Sequence, residues 1–590
     1  MKLLGITVFV SLCFSISAYN PCCSFPCQHN GVCVGDGDEY SCDCTRTGYY
    51  GKNCETPYWG TWLRGLIKPS QETANYIMTH FSWLWYFANN IGFLQDMAMS
   101  YAYHSRINYI RIPHVHTSDH EYATMEAHYN RSYYARTLPP VPKGCPTPFG
   151  VAGKKVPPSA EELAEKFLKR TEFITDPQNT SLLFTFFAQH FTHCFFKTEY
   201  HRHPGMTWGQ HGVDSSHIYG QGGERESKLR TLKDGKMKSQ IINGEEWPPS
   251  VKDADVFMQY PEGVPNEKKF ALGHPFYSML PGLFMYATVW LREHNRVVTI
   301  LKKIHPKWDD EQLFQTGKNI ITAELIKIVI EDYVNHLANY HLRIIYKPEI
   351  LFGESFPYDN RIHLEFNHVY HWHPFSSDEF NISGTIYTMD ESLGHPEIVV
   401  KHGMKGFVDS FSRSLAGKMS HHNHGERTRK VSVAVIKHQR ELRLQSYNNY
   451  RKRFDLHPFT SFEEMTGDKE MTKELEEMYG DVDAVDLYMG MFLEKNLDTG
   501  PFPITLLAMG APYSIRGLLA NPISSPEYYK PSTFGGEVGF EIAQTASLEK
   551  LFCQNIKGEC PLVKFRVPTD LAREARKNLE QAKKPRHDEL

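Results

Sequence analysis

The stretch IITAELIKIVIEDYVNHLANYHLRII, Ile320–Ile345, contains no proline or glycine and spaces its apolar residues three and four apart. That is the period of a helix packed along one face, and the spacing predicts a helix from Ile320 to Ile345. From about His104 to Pro568 the chain keeps this character. Breakers such as Pro281 and Gly282 punctuate it, and alternating strand patterns are few. The expectation is one large, mainly α domain without internal repeats. A chain of 590 residues, 41% hydrophobic and 22% charged, can bury such a core. The formal net charge of −4 offers no basic excess, so no nucleic-acid partner is expected.

The two ends carry addresses. Lys2 is followed by an apolar run from Leu3 to Ile16 and by small residues at Ser17 and Ala18. This is the order of a cleaved signal peptide over 1–18, and the run is short for a membrane span. The last four residues, His587, Asp588, Glu589 and Leu590, form an HDEL retrieval signal. With no other run of spanning length, the expected location is the lumen of the endoplasmic reticulum.

Of twelve cysteines, Cys13 falls in the signal segment and seven crowd between Cys22 and Cys54. In an oxidising lumen such density means disulfides. Cys27, Cys33, Cys42, Cys44 and Cys54, with Gly51 three residues before the last, resemble an epidermal-growth-factor-like (EGF-like) module over 19–57. The usual connectivity of that module implies Cys22–Cys33, Cys27–Cys42 and Cys44–Cys54. Cys23 then needs an outside partner, for which Cys145 is the nearest candidate, and Cys553 and Cys560 can close a short loop. Cys194 is left as a buried free thiol. Sequons at Asn130, Asn179 and Asn381 permit N-glycosylation.

Between 58 and 103 the composition shifts. Trp59, Trp62, Leu63 and Leu66 fall at helical spacing, and Ile77, Phe81, Trp83, Leu84, Trp85, Phe87, Ile91, Phe93, Leu94, Met97 and Met99 follow. Short amphipathic helices of this kind suit insertion into one membrane leaflet, or else packing on the protein's own core. The pattern alone leaves both open.

Thirty histidines cannot all be functional. His421, His422 and His424 read as solvated loop residues. Two runs stand apart because their histidines sit among aromatic residues. FTFFAQHFTH, 184–193, puts Gln189 and His193 four apart, on one face of a helix. EFNHVYHWHP, 365–374, carries Tyr370, Trp372 and His373, with Tyr370 one helical turn from His373 and Pro374 opposing further helix. Zinc is an alternative use for such histidines, but neither run is HExxH and no Cys or carboxylate ligands accompany them.

FFAQHFTH, WLREHNRV, EFNHVYHWHP, GAPYSIRGLL and SPEYYKPSTFGGEVGF resemble the animal haem peroxidase superfamily, and within it the prostaglandin H synthase (cyclooxygenase) family. The order of parts is similar too: signal peptide 1–18, EGF-like module 19–57, monotopic membrane-binding helices 58–103, catalytic domain 104–568, and a basic tail with the retrieval signal, 569–590. The resemblance decides the 58–103 segment in favour of a membrane leaflet. The implied fold class is mainly α, a large helical haem-peroxidase-like domain with a small disulfide-rich module and short amphipathic helices.

The resemblance also implies roles. His373 matches the axial ligand of the haem iron in one haem b per subunit. His193 and Gln189 match the pair on the opposite face, where a neutral imidazole takes a proton from a hydroperoxide and returns it to the departing oxygen. Tyr370 matches the radical tyrosine that removes a hydrogen atom from a polyunsaturated fatty acid. Arg106 matches the arginine that meets the substrate carboxylate. Tyr333, Val334, Leu337 and Tyr340 match a channel wall, with Tyr340 at its mouth, joined by Trp372, Leu507, Gly510 and Ser514. Ala338 stands where relatives often carry Ser. Ser514 matches the serine acetylated by aspirin, and its GAPYS context lacks the nucleophile elbow of serine hydrolases.

The implied activity is tyrosyl-radical bis-dioxygenation of arachidonate or a similar acid, using two molecules of oxygen. Peroxidase reduction of the resulting endoperoxide hydroperoxide to prostaglandin H2 follows, with a reducing cosubstrate. A homodimer is implied by analogy. The rival expectations are a haem peroxidase without oxygenase activity and a non-catalytic adhesion protein built on the EGF-like module.

Overall fold

The computed structural model describes residues 19–110, 112–116, 120–353 and 355–582. The segment 1–18 and the HDEL tetrapeptide lie outside the described residues.

At the N-terminal end, strands β1 (Val32–Asp36) and β2 (Glu39–Asp43) pair antiparallel with Cys33 opposite Cys42. The disulfides here are Cys22–Cys33, Cys27–Cys42 and Cys44–Cys54. So small a unit has little apolar core, and crosslinks take its place. Cys23–Cys145 spans 122 residues and fastens the unit to the main body. Gly150 makes that fit possible: its φ is +95°, and a Cβ there would lie 2.0 Å from the Cys23 carbonyl oxygen. Cys553–Cys560 closes a loop near the other end, and Cys194 is free and buried.

Four helices follow: α1 (Trp59–Ile67), α2 (Gln71–His80), α3 (Ser82–Asn90) and α4 (Gly92–Ile107). Trp59 is 74% exposed, Ile67 84%, Trp83 63% and Phe93 70%, so these side chains do not pack on the protein's own core. Met99 and Tyr103 on α4 do turn inward. The boundary expected at 103/104 therefore cuts through a continuous helix, because α4 runs from the apolar face into the body.

The body is built around α5 (Leu182–Thr192), α6 (Pro281–Ile304) and α7 (Asp310–Ile328). Ser181 caps α5 by accepting from the Phe184 amide, and Asp309 caps α7 by accepting from Gln312. Pro281 and Gly282, expected as breakers, instead open α6. Pro281 sits in the first turn, where its missing N–H costs nothing. Gly282 lets α6 meet α5 closely, since a Cβ there would lie 2.1 Å from the Phe186 ring. Phe184, Phe186 and Phe187 are buried at this contact, each worth about 1.5–3 kcal/mol of apolar burial.

The helix expected over Ile320–Ile345 begins earlier and ends sooner. α7 starts at Asp310, gives way to a π-helical turn over Val329–Val334, resumes for Asn335–Ala338, and stops. Asn339 takes a left-handed conformation (φ 49°), which Asn tolerates because its side chain bonds locally. Its Nδ2 donates to the Thr499 carbonyl at 2.6 Å. Short hairpins make up the β content, as two-stranded sheets.

One further expectation is corrected. His424 is fully buried against Phe492 rather than solvated, and His421 and His422 are half-buried. Residues 569–582 of the expected tail form a helix. Its Ala572 packs with Leu415 and Val567, and its Arg576 donates to the Asp176 carbonyl and Asn179 Oδ1. Of the sequons, Asn381 is exposed on a strand, while Asn130 and Asn179 are half-buried.

Burial of many histidines sets the acid response. Burial holds His211 and His294 at about 4 and His336 at about 3, below the ordinary value of 6.5. These depressed values mean that the unfolded chain binds more protons below pH 6.5. Stability is therefore complete above that pH and falls as pH drops toward 4. At pH 5 each such histidine is expected to cost about 2 kcal/mol. Urea midpoints at pH 7.5 and pH 5 measure this, and equal midpoints would refute it.

Candidate active site

A cavity of about 780 Å³ lies between α2, α4, the end of the α7 segment, the chain that follows α8 (Leu364–Val369), and helix α9 (Ile504–Leu519). Leu507, Gly510, Ala511 and Ser514 recur at i, i+3, i+4 and i+7 on α9 and all line it. A Cβ on Gly510 would meet nothing within 4 Å, so this glycine borders open space. Ser514 makes no hydrogen bond among the described residues. Val334, Leu337, Ala338 and Tyr340 form the facing wall.

Tyr333 does not line the cavity. The π-helical turn shifts the register, a device often found at functional sites. Tyr333 is sent into the core, where it stacks on Phe184 at 4.9 Å and hydrogen-bonds the Tyr370 hydroxyl.

Tyr370 does line it, together with Trp372. The helical turn expected to join Tyr370 to His373 is not formed: α8 ends at Val369, and His373–Phe375 is a separate 3₁₀ turn with Pro374 in its first positions. Tyr370 is fixed instead by its neighbours. Its ring stacks on Trp372 at 3.9 Å and meets Phe366 edge-on at 5.3 Å. Burial pushes its phenol well above the ordinary value, so it is protonated at neutral pH.

Arg106, near the end of α4, lines the same cavity. Its Nη1 donates to Gln71 Oε1 at 3.0 Å, and Gln71 Nε2 donates to Tyr109 Oη at 2.5 Å. Tyr109 donates to Asp455 at 3.1 Å, and Asp455 also pairs with Lys68 at 2.8 Å. Lys68 and Asp455 reach solvent, so the cavity opens here, beside the exposed apolar helices. Arg106 itself has no carboxylate within salt-bridge distance among the described residues. Gln71, Tyr109 and Asp455 escaped the sequence reading. Gln71 lies in a segment read only for its apolar face, and Asp455 is far away along the chain.

Gln189, His193 and His373 form the second constellation. Each keeps partial exposure while its neighbours Ala188, Thr192 and Pro374 are buried, and His371 acts on both His193 and His373. His193 caps the end of α5, and its Nδ1 lies 2.7 Å from the Gln189 carbonyl. A carbonyl only accepts, so Nδ1 carries the proton and Nε2 keeps a free lone pair. Burial, aided by Lys197 and His371, holds His193 down at about 4. His373 is held at about 3 by burial and His371, and its Nδ1 is buried without a hydrogen-bond partner. Two neutral, partly exposed imidazoles that share His371 as a neighbour, one with an unmatched ring nitrogen, fit an iron-bearing cofactor.

An animal haem peroxidase family model matches residues 206–511. Prostaglandin G/H synthase 2 of Gallus gallus is 52% identical over 96% of this chain and 94% of its own. Prostaglandin G/H synthase 1 of Rattus norvegicus is 52% identical over 94% and 92% respectively. The solved fatty acid alpha-dioxygenase of Oryza sativa shares the fold, with a TM-score of 0.60 at 17% identity over 83% of this chain and 95% of its own.

Proposed function

Because the chain belongs to the prostaglandin G/H synthase family of animal haem peroxidases, we propose that it converts arachidonate or a similar polyunsaturated acid to prostaglandin H2. The observation that carries this reading is one apolar cavity lined by both Arg106 and Tyr370. A carboxylate held by the Arg106 guanidinium at the open end leaves the hydrocarbon chain to run inward, past Val334, Leu337, Leu507 and Gly510.

Gln189, His193 and His373 would hold haem b, one per subunit, with His373 as the residue that would ligate its iron. When bound, this group accepts oxidising equivalents from a hydroperoxide. His193 Nε2 is the base that takes the hydroperoxide proton and returns it to the leaving oxygen, and Gln189 orients the peroxide. A reducing cosubstrate restores the site.

Tyr370 is the group that attacks the fatty acid. On losing an electron and its phenolic proton it becomes a phenoxyl radical, which removes a bisallylic hydrogen atom. The tyrosine O–H re-forms, and two molecules of oxygen add to the carbon radical. Tyr333 holds the Tyr370 hydroxyl, and Trp372 fixes its ring. Ser514, with a free hydroxyl on the cavity wall, narrows the channel and is the position acetylated by aspirin-type reagents.

The exposed aromatic faces of α1–α4 seat the protein on one leaflet of the lumenal membrane of the endoplasmic reticulum. No helix among the described residues is long and apolar enough to cross it. The functional unit is a homodimer. The test is oxygen uptake by detergent-purified, haem-loaded protein given arachidonate. About two oxygens per fatty acid are expected from the chemistry of bis-dioxygenation. Hydroperoxide reduction without oxygen uptake would leave a peroxidase and remove the oxygenase.

A further inference from the structure

Behind His193 lies a second chain of oxidisable and proton-carrying groups that the mechanism above does not use. Cys194 Sγ is 2.9 Å from His217 Nδ1, and His217 Nε2 is 3.1 Å from His190 Nε2. His190 Nδ1 is 3.1 Å from Tyr277 Oη, and Tyr277 also reaches the His190 carbonyl at 3.0 Å. All four residues are fully buried. The Tyr277 ring packs edge-on against His193, with centroids 5.7 Å apart.

Burial holds both imidazoles neutral and both the thiol and the phenol protonated. The chain thus has four hydrogens for four hydrogen bonds, and one arrangement fills them all. Cys194 S–H donates to His217 Nδ1, and His217 Nε2–H to His190 Nε2. His190 Nδ1–H donates to Tyr277 Oη, and the Tyr277 O–H to the His190 carbonyl. Every proton in the series points from the thiol toward the phenol.

We propose that Cys194 is a hydrogen-atom donor wired through His217 and His190 to Tyr277, giving the protein a second resting place for an oxidising equivalent. The inference rests on the peroxidase reading, which supplies the oxidant. Reduction of a hydroperoxide to an alcohol and water takes up two electrons and two protons. Tyr277 gives one electron to that reduction and becomes a phenoxyl radical as its phenolic proton passes to the neutral His193 imidazole packed against its ring, which delivers it to the departing oxygen. His190 Nδ1–H then passes its proton to the phenoxyl oxygen, His217 passes its own to His190 Nε2, and the Cys194 S–H bond breaks to reprotonate His217 Nδ1. The electron moves from sulfur to Tyr277. The net change is a restored tyrosine, two imidazoles with exchanged tautomers, and a thiyl radical at Cys194. External reductant supplies the second electron and proton.

The experiment uses haem-loaded protein carrying Tyr370→Phe, which silences the other radical tyrosine. It is mixed with linoleate hydroperoxide, freeze-quenched for electron paramagnetic resonance, and digested to weigh the Cys194 peptide. The expected result is oxygen added at Cys194, as thiyl radicals take up dioxygen, with little tyrosyl signal. Adding Cys194→Ser or Cys194→Ala should leave a persistent tyrosyl signal, and Tyr277→Phe should abolish both that signal and the cysteine oxidation. An unmodified Cys194 peptide alongside consumed hydroperoxide would overturn the relay while leaving the peroxidase intact. Cysteine oxidation undiminished by Tyr277→Phe would also overturn it. Failure to consume hydroperoxide at all would overturn the peroxidase reading and the relay with it.

Discussion

Tyr370→Phe is expected to abolish oxygen uptake on arachidonate while hydroperoxide reduction continues. Phenylalanine keeps the ring that stacks on Trp372 and meets Phe366, so the cavity wall and its packing survive. Only the hydroxyl goes, and with it the O–H bond whose loss makes the radical. Carboxylate and imidazole side chains move protons and cannot remove a hydrogen atom from a bisallylic carbon, and the neighbouring phenol, Tyr333, does not line the cavity, so no neighbour substitutes for it. One cost is local: Tyr333, buried against Phe184, loses its partner, and an unsatisfied buried hydroxyl is worth about 1–3 kcal/mol. That is tolerable for a domain of this size, and an unchanged thermal midpoint within a few degrees checks it. Tyr333→Phe gives the contrast. It removes the hydrogen bond and keeps the radical residue, so it is expected to slow oxygen uptake without stopping it. The measurement pairs an oxygen electrode with a hydroperoxide assay on the same preparations. Appreciable oxygen uptake by Tyr370→Phe would remove Tyr370 from its assigned role.

What the sequence showed and what it hid divide along a physical line. Local pattern was enough where one element carries the information. Gln189 and His193 are placed by a single turn of α5, whereas Leu507, Gly510 and Ser514 came from the family resemblance and share one face of α9 in the structure. Pattern misled where the backbone leaves the regular period. The π turn at Val329–Val334 rotates Tyr333 out of the cavity, and the α8 terminus separates Tyr370 from His373. The π turn is not signalled by composition, whereas Pro374 does oppose helical geometry at His373. Position in the fold was the least visible quantity of all. The Arg106–Gln71–Tyr109–Asp455 series joins groups hundreds of residues apart, and His424 is buried only because Phe492 comes to cover it. The same holds for the Cys194–His217–His190–Tyr277 chain, whose members look unremarkable in sequence and acquire a direction only through folding.

His193→Ala is expected to lower hydroperoxide reduction by about 10²–10⁴-fold, the usual contribution of a positioned general acid–base. The geometry explains why the loss should be large. Nδ1 is committed to the Gln189 carbonyl, so the free lone pair is on Nε2. Depression of the imidazole to about 4 keeps that lone pair available across the neutral range. In the parent protein the rate should therefore hold steady from neutral pH downward and fall as pH drops through about 4, where the imidazole protonates. Alanine removes this dependence, leaving a low rate that is flat through the same window. Haem absorbance provides the control, because the axial role is assigned to His373 and not to His193. A variant that binds haem, reduces hydroperoxide at the parent rate and keeps the acid limb would show that the proton is handled elsewhere. Gln189→Ala should be milder, since the backbone carbonyl that fixes the His193 tautomer remains in place when the Gln189 side chain is removed. A loss as great as that of His193→Ala would mean that the amide side chain takes part in the proton transfer and does more than orient the peroxide.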